Sequence, residues 1–117
     1  KESLIDPSHM TERLHASRTI PLTHDLFYGD ALVFEGLASH TATVRSKKSG
    51  HGVTMEFSSF PMIGVWSACN DGPFVALEPW CGCATRTDEN DEFTKKRWMR
   101  TLPAGQMEEF SYTVSIF

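Results

Sequence analysis

Through GVTMEFS, residues 52–58, apolar positions alternate strictly with polar ones: Val53, Met55 and Phe57 against Thr54, Glu56 and Ser58. A period of two is that of a strand with one wet and one buried face. Residues 31–39 (ALVFEGLAS) and 41–47 (TATVRSK) share this texture, rich in Val, Phe and Thr, and are predicted strands. Ser49-Gly50 is a turn signal that joins the second and third segments as antiparallel neighbours. Residues 64–69 (GVWSAC) and 74–80 (FVALEPW), separated by the turn NDGP, are more continuously apolar and read as central strands. In the closing segment EEFSYTVSIF, Phe110, Tyr112, Val114 and Ile116 fall on one face and Ser111, Thr113 and Ser115 on the other. The pattern predicts an all-β, antiparallel fold in which one sheet face is wet or meets a second sheet.

The remainder of the chain is irregular. Residues 1–19 mix charges, His and Pro with little periodicity, and are expected to be a lead-in with one short helical turn at most. ATRTDENDEFTKKR, residues 84–97, reads as a long solvated loop with opposite charges at its ends. A chain of 117 residues suffices for one core, not two. With 40% hydrophobic residues, 22% charged and a net charge of −4, composition argues against disorder and against a nucleic-acid partner. No apolar run approaches the roughly 20 residues of a membrane helix. Three cysteines, two of them as Cys81-x-Cys83, do not make a disulfide framework, and a reducing cytoplasm is the expected location. The C-x-C pair lacks the spacing and further ligands of a zinc site, and the five histidines are scattered, so no metal is expected.

Glu78 is the residue that asks for chemistry. It stands between Leu77 and Pro79-Trp80 at the end of an apolar segment. A carboxylate in such surroundings must be paired, protonated or put to use, because an apolar environment disfavours its charged form. Pairing with Arg86 or Arg97 is the plain alternative to a general base. Asp30, after Gly29, is either a turn residue or an acceptor for polyol hydroxyls. Trp66 and Trp80 either pack in the core or present a flat apolar face to a pyranose ring.

Taken together, LFYGDALVF, FSSFPMIGVWSACNDGPFVALEPWCG and TLPAGQMEEFSYTVSIF resemble the C-terminal part of aldose 1-epimerases, the galactose mutarotase-like enzymes, and most nearly their LacX-type branch. The likeness runs from Ile20 to Phe117, and its most specific element is PFVALEPW with the preceding FPMIGVW. It implies a large antiparallel β-supersandwich of which these residues are the C-terminal portion. It also implies an isomerase that interconverts the α and β anomers of a free aldose, without metal or organic cofactor. A carboxylate takes the anomeric proton, a histidine protonates the ring oxygen, and the ring opens, rotates and closes. On this likeness Glu78 is the base, Asp30 binds a sugar hydroxyl, and Trp80 and Trp66 contact the ring. None of the five histidines matches the family's acid, which is expected in an N-terminal portion preceding Lys1. A chain of this kind by itself is expected to be a poor catalyst and to dimerise, aggregate or pair with that portion. The sequence around Cys81 and Cys83 departs from the branch pattern. A non-catalytic carbohydrate-binding β-sandwich is the alternative function, and a decayed site with an interaction role the third.

Overall fold

The computed structural model of the protein describes residues 4–10 and 17–117, so part of the lead-in lies outside the described residues. Among the described residues, six strands form two antiparallel sheets, and the only helical pieces are 3-10 turns at Pro7–His9, His24–Phe27 and Phe93–Lys95. The strands are β1 (Leu32–Glu35), β2 (Thr41–Arg45), β3 (Gly52–Glu56), β4 (Met62–Trp66), β5 (Ala76–Trp80) and β6 (Thr113–Ile116). One sheet has the order β1-β4-β5, the other β2-β3-β6. The all-β expectation holds.

The turn signals do what they predict. β2 and β3 pair with Val44 opposite Val53 across the loop containing Gly50, whose φ of 77° only glycine adopts without strain. β4 and β5 pair with Val65 opposite Leu77. Ser67, 2% exposed, closes that second connection by donating its hydroxyl to the Phe74 carbonyl at 2.7 Å. This bond ends β4 at Trp66, so the strand begins two residues earlier than its apolar run suggests and stops short of Cys69. Tyr28 donates to the Asp71 carboxylate at 2.7 Å, tying the approach to β1 to the same turn.

Two expectations need correction. β4 is central, as predicted, but β5 flanks it at the edge of its sheet. Among the described residues no further strand pairs with β5, and its Pro79, opposite Ile63, has no N–H for a ladder. The closing strand is also shorter than its alternation suggests: its ladder with β3 runs only from Thr113 to Ile116. Phe110 and Tyr112 fall short of it and pack against Phe60 instead, with ring centroids 5.5 and 6.3 Å away.

Residues opposite one another in a ladder share a face. Phe34, Ile63 and Leu77 therefore form the inner face of the β1-β4-β5 sheet, and Ala42 and Met55 that of its partner. Met55, Phe57 and Ile63 are buried where these faces meet, with Leu37 and Phe60 packed around them. Each such side chain contributes about 1.5–3 kcal/mol on burial. The contact covers only part of the second sheet: Val114 and Ile116 share the inner face with Met55 and Val53 yet are 45% and 83% exposed.

The lead-in is more structured than its composition implies. Asp6 caps the turn Pro7–His9 by accepting from the Ser8 N–H. Ile5 pairs with Arg86, donating to the Thr85 carbonyl at 3.0 Å and accepting from the Thr87 N–H at 2.9 Å.

Candidate functional site

Three of the residues expected to form the site, Glu78, Trp80 and Trp66, share the outer face of the β1-β4-β5 sheet. By register, Glu35, Met62 and Trp80 make one row across it, and Val33, Gly64 and Glu78 the next. Gly64 leaves room for this arrangement. A Cβ there would lie 3.0 Å from two ring atoms of Trp80, so the indole packs against bare backbone. From that position the Trp80 Nε1–H donates to Glu78 Oε2 at 3.1 Å.

Glu78 is half-buried. Its suggested cationic partners are engaged elsewhere: Arg86 with Asp88 and Arg97 with Glu35, both at 2.7 Å. Among the described residues no ion pair reaches Glu78. One carboxylate oxygen is held by an indole, and the other has no hydrogen-bond partner from the described residues. Glu78 is thus a carboxylate oriented by a neutral donor, with one oxygen left open among the described residues.

Trp80 also lines a groove of about 640 Å³ walled by residues 79–84 and 96–100. Glu78 is not in its lining; the Trp80 indole connects the two. The second wall is fixed by Glu35, whose two oxygens accept from Arg97 at 2.7 Å and from the Trp98 Nε1–H at 3.2 Å. Trp98 pays for its position with a φ of 63°, a left-handed conformation that costs a bulky residue on the order of 1–3 kcal/mol.

The loop leading to this wall is closed by Glu89, which accepts from the backbone N–H groups of Arg86 and Arg97, both at 2.9 Å. These two bonds hold the Glu89 carboxyl below its ordinary value of 4.5. A folded-state value lowered in this way means the ionised form stabilises the loop. That contribution is complete above pH 4.5 and is lost as the pH falls through the lowered value. Acidification through this range should shift tryptophan fluorescence as Trp98 loosens. Glu89→Gln should abolish that transition; an unchanged acid transition in the variant would refute the role.

Of the residues expected to form the site, the structure brings Glu78 and Trp80 into contact. Trp66 lies on the same outer face one row beyond Glu78, its ring tilted against Phe74 at 5.5 Å. Asp30 has a φ of 139°, is exposed, and accepts from the Ala31 N–H at 2.7 Å. Among the described residues no hydrogen bond joins Asp30 to Glu78 or Trp80. Glu35 and Trp98, which fix the groove's second wall, are the residues that sequence reasoning missed, and a signal for Trp98 was the apolar pair Trp98-Met99 directly after the basic run.

Cys81 and Cys83 line the groove as free thiols. Burial, and secondarily the charge of Glu89, pushes the Cys83 thiol up, which keeps it protonated and a poor nucleophile near neutral pH. Among the described residues no three His, Cys, Asp or Glu side chains converge as a metal site would require, and no helix is long and apolar enough to cross a membrane.

No protein-family model matches the sequence, and no solved structure matches it. Two curated proteins of Lactococcus lactis subsp. lactis do: "Protein LacX, plasmid" and "Protein LacX, chromosomal", each 34% identical over 113 residues. The match takes in 97% of this chain but only 38% of each relative, so the chain spans less than half the length of the curated relatives it matches.

Proposed function

We propose that this chain contributes the general base of an aldose 1-epimerase-like isomerase, a cytoplasmic enzyme that interconverts the anomers of a free sugar. The observation that carries this reading is Glu78: half-buried, unpaired with any cation among the described residues, and oriented by the Trp80 indole. The likeness to the two LacX proteins and the Glu-Pro-Trp motif support it. In the proposed reaction the sugar lies with its C–H face toward Trp80, and Glu78 accepts the proton of the anomeric hydroxyl. Electrons move from that oxygen into a carbonyl as the bond from C1 to the ring oxygen breaks, and the ring oxygen takes a proton. Rotation about the bond between C1 and C2 and reversal of these steps give the other anomer. No residue of this chain is assigned as the acid that serves the ring oxygen, and Asp30 and Trp66 are proposed as outlying sugar contacts.

Polarimetry of freshly dissolved α-glucose and α-galactose tests the reading. The complete gene product should speed the approach to anomeric equilibrium well above the buffer rate. Sugar binding without acceleration would instead favour a carbohydrate-binding module.

A further inference from the structure

The charges around the groove are unevenly matched. From Arg86 to Arg100 the chain carries five cationic side chains. Four have a carboxylate partner: Arg86 with Asp88, Lys95 with Glu92, Arg97 with Glu35, and Arg100 with Glu108. Lys96 has none among the described residues, yet it is half-buried and lines the groove. Glu89, whose carboxyl the Lys96 charge helps to lower, spends its oxygens on two backbone N–H groups. The groove lining contains Lys96, Arg97 and Arg100 and no Asp or Glu. Arg97 and Arg100 are matched by Glu35 and Glu108, which leaves Lys96 as the lining cation without an ion pair among the described residues. An ammonium so placed can be met by a bound anion.

We infer that Lys96 is the centre of an anion subsite in the groove, and that the aldose this site takes carries a phosphate ester. The inference rests on the proposed sugar site at Glu78 and Trp80. Trp80 bonds Glu78 and lines the same groove as Lys96, so a sugar held at Glu78 and Trp80 lies beside the lining that carries the ammonium. The phosphate of a hexose 6-phosphate is several bonds from the anomeric carbon, and can occupy the groove while C1 faces Glu78. A lysine ammonium recognises phosphate as a point charge, and Arg97 and Arg100 are already engaged by Glu35 and Glu108.

Titration of the protein with glucose, glucose 6-phosphate, glucuronate and inorganic phosphate, followed by tryptophan fluorescence, tests this. Glucose 6-phosphate should bind at least tenfold more tightly than glucose, with an advantage that shrinks as salt is added. Lys96→Ala should bring the ratio of the two affinities close to one, and Lys96→Arg should restore most of it. Equal affinities, or a ratio unchanged in Lys96→Ala, would overturn the subsite while leaving the Glu78 reading intact. A gain for glucuronate but not for glucose 6-phosphate would overturn the assignment to phosphate. If no sugar binds, the Glu78 reading has failed; binding of inorganic phosphate that depends on Lys96 would then uphold the anion subsite, and its absence would overturn that too.

Discussion

Phe57→Ala should lower the unfolding free energy by about 3–5 kcal/mol, the usual cost of removing a fully buried aromatic ring. The residue is 1% exposed and leads from β3 of one sheet toward β4 of the other. Its backbone N–H donates to the His40 carbonyl at 2.9 Å, and its own carbonyl accepts from Phe60 at the same distance. Its side chain packs with Met55 and Ile63, where the inner faces meet. Few other side chains are fully buried, so the surroundings have little material with which to collapse into the cavity. Against a typical total of about 5–15 kcal/mol, the loss is a large fraction. Urea denaturation would show it as a lower midpoint, with Phe57→Leu recovering most of the difference. Ile116→Thr is the control: at 83% exposure it should change stability by no more than about 0.5 kcal/mol. A loss below about 1 kcal/mol for Phe57→Ala would mean that the two sheets do not depend on this core.

The contrast between Phe57 and Ile116 also shows what the sequence conceals. Both stand in segments of clean alternation, and in both the period of two assigns the correct face. Alternation cannot say whether anything covers that face. Burial depends on where the second sheet ends, which is a property of the packed molecule. Pro79 is, by contrast, a local sign that counts against a central position for β5, because a proline removes a donor that a central strand can need. The site divides in the same way. Glu78 and Trp80 are two residues apart on one strand, so their common face follows directly from local sequence. Gly64 and Glu35 join them only through register, and register was not determined until β4 was paired on both sides. Lys96 and Trp98 come from a loop whose path is set by two backbone hydrogen bonds to Glu89 and two side-chain bonds to Glu35. Such non-local contacts leave no periodic trace, and charged loop residues look alike whether they face solvent or a groove.

Glu78→Gln should slow mutarotation by about 10²–10⁴-fold, the range that a positioned acid–base group supplies. The substitution isolates proton transfer from packing. A glutamine carbonyl oxygen can still accept from the Trp80 Nε1–H, so the indole keeps its place against Gly64 and the groove keeps its wall. What the amide lacks is basicity. The loss should therefore fall on kcat with KM little changed, as expected for an interaction realised in the transition state. Glu78→Leu makes a different change. It removes the acceptor and leaves the half-buried indole N–H without a partner, at a cost of about 1–3 kcal/mol, so sugar affinity should fall along with turnover. The pair of variants discriminates between roles. A base predicts that Gln loses turnover and keeps affinity while Leu loses both. If Gln lost affinity as severely as Leu, Glu78 would be holding the sugar through its charge, and the carboxylate would belong to recognition instead of proton transfer.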